Sequence, residues 1–367
     1  MKVAVIGAGI GGAAAALALA RRGHDVEVLE QAEALGEVGA GLQLGPNAVK
    51  VLRALGVAPP AEGPEAIVMV DDLTGRAIAH VPMNPDMETR FGAPYWQLHR
   101  ADLLSALADA AKTAGATFHL GQKVAAAPDA DLVVAADGVR SGFREIVAGP
   151  GSLAYSGHVA WRALVPAAAV PDGWGRRTRL FMGPRRHMVL YPLRGGEFWN
   201  LVAVAERGDW QAEGWRQEGD PEALRMAFGD VCAEAAGVLS AVDQCILWGL
   251  FAHPPLERWC KGNVALLGDA CHPMLPYLAQ GAAMAIEDAW VLADCVSADG
   301  LNGLSRYEAL RKPRATRVQR AAVANGKVYH IAHPLLRRGL HIGIGVRAHL
   351  PGGLIGRFGW LYGGDVT

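Results

Sequence analysis

KVAVIGAGIGGAAAALALARRGHDVEVLE, residues 2–30, decides the fold. Lys2 to Ile6 is a short apolar run of strand character. Gly7, Gly9 and Gly12 follow in G-x-G-x-x-G spacing, and an Ala/Leu-rich helix runs on to Arg22. Gly23 ends that helix, Asp25 to Leu29 is a second apolar strand, and Glu30 closes it. Glycines at this spacing permit a tight turn, close backbone approach to a pyrophosphate and close helix packing, while an acid about 20 residues on meets a ribose hydroxyl. Alone the spacing is a weak signal, because Gly-rich turns also arise by accident. In the order strand, turn, helix, strand, acid it predicts a Rossmann-like unit that binds an adenine dinucleotide.

Outward from this unit, 367 residues suffice for two lobes or for one large α/β unit with an inserted sheet. Lys plus Arg, 35, nearly balances Asp plus Glu, 36, so nothing points to nucleic acid or to an acidic partner surface. Cys232, Cys245, Cys260, Cys271 and Cys295 form no C-x-x-C pair and are odd in number. They read as buried thiols of a reducing, cytoplasmic protein, with neither disulfide nor metal site. The apolar run to Ala20 imitates a membrane span. Its glycines fall where a strand must turn into a helix, however, and Arg21-Arg22 lie on the wrong side for a signal peptide. No other stretch reads as a membrane helix.

A second decisive stretch is GDACHPMLPYLAQGAAMAIED, residues 268–288. A buried strand from Asn263 to Leu267 ends in Gly-Asp, a loop follows with Pro273 and Pro276, and a helix opens near Gln280-Gly281 and carries Glu287 and Asp288. The unpaired N–H groups of that helix's first turn make a place for an anion or an electron-rich ring. A third site is Asp137-Gly138, at the end of a continuously apolar strand from Asp131 to Ala136. Such strand ends are where open α/β sheets bind ligands.

Between these pieces the texture changes. Gly36 to Gly45, including Gly39, Ala40 and Gly41, is glycine-rich, and Ile67–Val70 with Ala77–Val81 reads as a hairpin. Arg100 stands at a strand-to-helix junction suited to a phosphate or to a surface ion pair. From Ser152 short strands separated by Pro-Gly turns imply an inserted antiparallel sheet. Its aromatics Trp161, Phe181, Tyr191 and Trp199 are candidates to wall a pocket or to fill a core. Pro221 to Ala235 reads as one helix. Ser305 to Val323 is a helix whose Arg311, Arg314, Arg317 and Arg320 repeat every third residue, which reads best as a solvated basic face.

Together GAGIGG with Glu30, the Asp137-Gly138 strand end, and GDACHPM with Pro276 and the QG…ED helix resemble the single-component flavin-dependent aromatic hydroxylases, the para-hydroxybenzoate hydroxylase superfamily. AYSGHVAWRALVP from Ala154, LYPLRGG from Leu190 and WLYGGDV from Trp360 resemble its salicylate and 6-hydroxynicotinate monooxygenase branch. The resemblance implies an α/β fold: a Rossmann-like FAD-binding domain (1–70, 96–150 and 259–304), an inserted antiparallel β-sheet substrate domain (71–95 and 151–258), and a C-terminal helical segment (305–367). It implies FAD, with Gly7, Gly9 and Gly12 at the pyrophosphate, Glu30 on the adenosine ribose and Arg100 near the phosphates and ribityl chain. Asp137 and Gly138 support the flavin, and Asp269 lies on the ribityl–pyrophosphate region. The N–H groups of Gln280, Gly281 and Ala282 face the flavin's pyrimidine edge. NAD(P)H is the implied co-substrate, and O2 with a small aromatic substrate completes a hydroxylation through a flavin C4a-hydroperoxide. Tyr191, His272 and Tyr277 are the candidate proton carriers; Gln43, Trp161, Tyr191, Pro276 and Tyr277 are the candidate substrate contacts. Gln43 and Tyr277 replace histidines of the hydroxynicotinate enzymes, so the resemblance stops short of that substrate. It leaves room for a homodimer, for a reductase or halogenase on the same scaffold, and for a non-catalytic flavin-binding protein. The halogenase W-x-W-x-I-P segment is absent.

Overall fold

The computed structural model describes residues 1–36, 41–151, 153–208, 210 and 216–367. Gly39 and Ala40 of the glycine-rich stretch lie outside the described residues. Among the described residues two large sheets of unlike character set the architecture. The first runs in the order Cys260–Lys261, Val264–Leu266, Leu132–Ala135, Lys2–Ile6, Asp25–Leu29 and Thr117–His119. Its pairs are parallel except for the Cys260–Lys261 edge. Leu132–Ala135 and Val264–Leu266 are buried throughout, as parallel strands covered on both faces must be. The helix Ile10–Ala20 packs against the helices Arg100–Thr113 and Gly281–Asp299, and its run of buried alanines allows the close approach.

The second sheet runs Arg216–Gly219, Cys245–Ala252, Ala154–Pro166, Phe198–Glu206, Arg186–Leu193, Arg177–Gly183, Ala66–Asp71 and Ala77–Pro82. Its pairs are antiparallel apart from Arg177–Gly183 with Ala66–Asp71. The expected boundary after residue 70 is therefore corrected, because Ala66–Asp71 pairs along its whole length within this sheet. Alternation gives the sheet two faces. Trp161, Phe181 and Trp199 point to one, where they form a core with Leu224, Val238 and Leu239 of the helices Pro221–Ala227 and Ala233–Ser240. The single helix expected over Pro221–Ala235 is thus two helices. His187, Val189, Tyr191, Arg162, Val202 and Val204 point to the other face, toward the parallel sheet's loops.

A two-stranded pair, Gly41–Leu44 with Trp96–His99, bridges the lobes. Gly41 is required there: a Cβ would stand 2.7 Å from the Tyr191 hydroxyl and 3.0 Å from Asn200 Cβ. The chain closes with the helices Gly303–Tyr329 and Pro334–His349. No helix of the described residues is long and apolar enough to cross a membrane.

Candidate active site

The glycine turn has the geometry of a dinucleotide cradle. Gly7 has φ +94°, and a Cβ on it would lie 2.6 Å from the Ala136 carbonyl oxygen; a Cβ on Gly12 would collide with the Gly7 carbonyl. Gly9 faces open space, with no atom within 4 Å of where its Cβ would be. Two glycines therefore close the turn and one leaves room above it. Glu30 accepts hydrogen bonds from the Ala8 N–H at 2.7 Å and the Ala32 N–H at 2.8 Å, so its carboxylate is fixed beside the turn. Asp137 follows the buried strand Leu132–Ala135, and its Oδ1 is buried without a hydrogen-bond partner among the described residues. That oxygen is set to accept a hydroxyl or amide donor, and the whole donor set fits FAD.

The stretch around Gly268 supplies the other half. Gly268–Ala270 forms a 3-10 turn, Pro276–Leu278 a second, and Ala279 takes a left-handed backbone (φ 52°) before the helix Gly281–Asp299. A non-glycine residue there costs about 1–3 kcal/mol and is held only where surroundings dictate it. It aims the first turn of that helix, Gly281 and Ala282, into the cavity. Arg144 ties the loops together: its guanidinium donates to the carbonyls of Asp269 (2.7 Å), Ala270 (2.8 Å) and Val139 (2.8 Å). Asp269 and Arg100 line the same cavity. Burial pushes Asp269 up, against the pull of His272, Arg100 and Arg144, while burial lowers Arg100 to about 10.

Two cavities, of about 300 and 240 Å3, share Gln43, His187, Val189, Pro276 and Ala279 as a common wall. The larger holds Arg100, Asp269, Arg162 and Tyr191; the smaller is mostly apolar and holds Tyr277, Tyr95 and Tyr329. Burial raises the Tyr191 hydroxyl, so it keeps its proton. Arg162 donates to the Gly41 carbonyl at 2.8 Å and lies over the Trp248 ring. Gln43 Oε1 accepts from the Tyr95 hydroxyl at 2.9 Å, leaving its Nε2 without a partner among the described residues. The Tyr277 hydroxyl is likewise without one. The Tyr277 ring packs edge-on to His158, His187 and His330, in space that Gly326 of the helix Gly303–Tyr329 leaves open. His187 is buried, its Nδ1 lies 2.7 Å from His330 Nε2, and burial holds its pKa well below the usual value.

The structure brings Gln43, Tyr191, Pro276 and Tyr277 to these cavities and leaves two expected residues outside. His272 is not a cavity residue: its Nε2 lies 2.5 Å from Asp288 Oδ2 and its ring packs on Trp259, inside an ionic network. Trp161 is not a cavity residue either, because strand parity turns Ala160 and Arg162 to the cavity and Trp161 to the opposite core. The basic stripe is corrected for Arg311 and Arg314, while Arg317 and Arg320 are exposed as expected. Arg311, 1% exposed, binds Glu287 at 2.6 Å and Asp288 at 2.7 Å, and Arg314 binds Glu287 at 2.6 Å. Arg144, Arg162 and His187 were not picked out by sequence reasoning. His187 carried a usable signal, since it lies four residues before Tyr191 in one strand and so on the same face.

Residues 99–322 match the family described as FAD binding domain, and residues 5–48 the one described as NAD(P)-binding Rossmann-like domain. The chain is 34% identical over 395 residues to the 3-hydroxybenzoate 6-hydroxylase of Polaromonas naphthalenivorans (strain CJ2), covering 100% of this chain and 96% of that one. It is 34% identical over 352 residues to the 6-hydroxynicotinate 3-monooxygenase of Pseudomonas fluorescens, covering 88% and 91%. Its fold matches Klebsiella pneumoniae HpxO, solved with FAD and uric acid, at a TM-score of 0.82 and 27% identity, over 94% of this chain and 93% of that one.

Proposed function

The chain belongs to the FAD-binding monooxygenase family, and from that premise we propose that it hydroxylates an electron-rich aromatic or heteroaromatic ring bearing a hydroxyl group, with NAD(P)H as reductant and O2 as oxidant. A phenolic acid or a hydroxypyridine-like ring is the substrate class. One observation carries the reading: the cavity beside Asp269, Arg100 and Gly281 shares a wall with an apolar cavity of ring-sized volume.

FAD, when bound, supplies dioxygen activation and hydroxyl transfer. Gly7, Gly9, Gly12 and Glu30 would hold its adenosine diphosphate half. Arg100, Asp137, Gly138, Asp269 and the first turn after Gln280 would hold the rest. The chain's own contribution is orientation, exclusion of water and proton handling. The N–H groups of Gly281 and Ala282, at a helix N-terminus, favour negative charge beside them. Val189, Leu180 and Ile67 exclude water from the ring's place. A hydroxyl-bearing ring donates electrons best once its proton has moved away. His187, kept neutral by burial, is the group at the shared wall able to take that proton. Tyr191 donates a hydrogen bond, and Gln43 Nε2 and the Tyr277 hydroxyl, both without a partner among the described residues, are offered to ring substituents. The five free thiols support a reducing, cytoplasmic setting, and the exposed Leu335, Leu336 and Ile342 support pairing with a second copy.

The test is a panel of hydroxybenzoates, hydroxypyridines and hydroxyquinolines offered to the FAD-loaded protein, scoring NAD(P)H oxidation against hydroxylated product and peroxide. Stimulated oxidation coupled to product on one ring class is the expected result. A yellow protein that no ring stimulates would reject the reading.

A further inference from the structure

His187 does not stand alone. Behind it, away from the cavities, lies His330, the residue that ends the helix Gly303–Tyr329. His330 Nδ1 has no hydrogen-bond partner among the described residues, and it faces Glu206 Oε1 at 4.0 Å. Glu206 ends the strand Phe198–Glu206 and is 40% exposed, with Arg185 Nε 3.7 Å from its other oxygen. A line of titratable groups therefore runs from the shared wall of the cavities to solvent.

We propose that Glu206 and His330 are positioning residues that set the tautomer of His187 and relay the substrate's hydroxyl proton to solvent. Two arrangements of the histidine pair satisfy the 2.7 Å contact. If His330 Nε2 carries the proton, it donates to His187 Nδ1, and His187 presents an N–H to the cavity. If His330 Nδ1 carries it, His330 Nε2 accepts from His187 Nδ1–H, and His187 presents a bare Nε2. A carboxylate only accepts, so Glu206 favours the proton on His330 Nδ1 and hence the second arrangement. Glu206 thus makes His187 a base toward the cavity.

The proton balance is simple. The substrate's O–H proton passes to His187 Nε2, the His187 Nδ1 proton to His330 Nε2, and the His330 Nδ1 proton to Glu206 and on to water. One proton leaves and no electrons move. The same line runs backward when the product's oxygen takes its proton back. The groups facing the pair are His158 from the strand Ala154–Pro166, Glu206, Arg185, Tyr277 and Tyr329. Nδ1 of His158 is 2.9 Å from the Ser156 carbonyl, an acceptor that fixes a proton there. Burial, with His158 adding, holds His330 down to about 3. Neither histidine keeps a charge at neutral pH, so a proton passes through rather than lodging.

The relay rests on the aromatic-hydroxylation reading for its substrate, but its tautomer can be read without one. Nitrogen-15 NMR of the FAD-loaded protein should show His187 protonated on Nδ1 and bare on Nε2. Glu206→Leu should reverse this, and Glu206→Asp should restore it. An Nε2–H tautomer in the unaltered protein, or no change in Glu206→Leu, would overturn the proposal. On whichever ring turns over in the panel, Glu206→Leu should lower coupled turnover about tenfold, below the 10²–10⁴ of a complete acid–base group. That loss should vanish at a pH above the pKa of the ring's hydroxyl. His330→Ala should lose more and recover with added imidazole. A Glu206→Leu loss equal at all pH values would overturn the relay. If no ring turns over, the functional reading falls while the NMR still decides the tautomer.

Discussion

The charges buried around Arg311 and the neutral polar atoms buried around His187 are treated in opposite ways. Around Arg311 every charge is answered: Glu287 meets Arg311, Arg314 and Asn47, while Asp288 meets Arg311, His272 and the Gly268 N–H. Burial works to raise both acids, yet the arginines around Glu287, and His272 with Arg311 around Asp288, hold them below their usual values. Around His187 the Gln43 Nε2, the Tyr277 hydroxyl and His330 Nδ1 have no partner among the described residues. Buried polar atoms without partners cost about 1–3 kcal/mol each, so they persist where something other than stability keeps them. The first region holds the loop and helix after Gly268 in place. The second lies along and behind the wall that the two cavities share, where we propose that the ring binds.

Arg311→Ala breaks this comparison most severely. It leaves two buried carboxylates short of their common partner, which costs about 3–5 kcal/mol. Urea unfolding of the variant should show that loss or no folded protein at all. A cost under about 1 kcal/mol would mean that the network is not what fixes the helix Gly281–Asp299.

His187→Gln should give the reverse pattern. It removes one hydrogen bond, about 1 kcal/mol, and with it the base, so coupled turnover should fall about 10²-fold while FAD retention is unchanged. Steady-state kinetics beside the flavin absorbance of the purified variant would check it. A variant that loses flavin instead would place His187 with the cofactor rather than with the ring.

Acid should unpick the two regions in sequence. His187 and His330 are depressed below their ordinary 6.5, so above that pH they are neutral folded or unfolded and contribute nothing. Below it the unfolded chain takes protons that the folded chain refuses, and stability falls by up to about 1.4 kcal/mol per pH unit for each histidine. Glu287 and Asp288, also held below their usual values, have the same sign of proton linkage in a lower window: their contribution is complete above the carboxylate range and is lost only as pH falls below about 4. His330→Phe should therefore flatten the stability slope between pH 6.5 and 5 and leave the steeper loss below pH 4 untouched. Denaturant midpoints across that range would show it.

The same contrast explains what was legible in the chain. The glycine turn, Glu30, the Asp137 strand end and the Gly268 loop are local: a few adjacent residues fix backbone shape, and spacing reports it. Which face of a sheet looks inward is not local. Trp161 was a reasonable wall for a pocket until the helices Pro221–Ala227 and Ala233–Ser240 claimed its face, leaving the cavity to Arg162. Arg311 and Arg314 on the helix Gly303–Tyr329 looked like part of a solvated stripe because their acids lie on another helix, at Glu287 and Asp288. His187 and His330 meet across 143 residues, and no periodicity announces such a pair.

Tyr277→Phe is the gentlest probe of the boundary between the two regions. Tyr277 sits in the chain segment that leads into the Arg311-bound helix, but its side chain belongs to the histidine cluster. Burial raises its hydroxyl, and that hydroxyl has no partner among the described residues, so deleting the oxygen removes a desolvated group rather than a bond. Stability should stay within about 0.5 kcal/mol or rise slightly. The ring's packing on Gly326 and the three imidazoles is kept. What should change is choice: KM should shift several-fold for rings carrying a polar substituent that reaches the oxygen and stay constant for rings lacking one, a difference of about 1 kcal/mol. A stability loss above 1 kcal/mol, with KM uniform across the panel, would move Tyr277 to the structural side and leave Gln43 as the residue that discriminates among substrates.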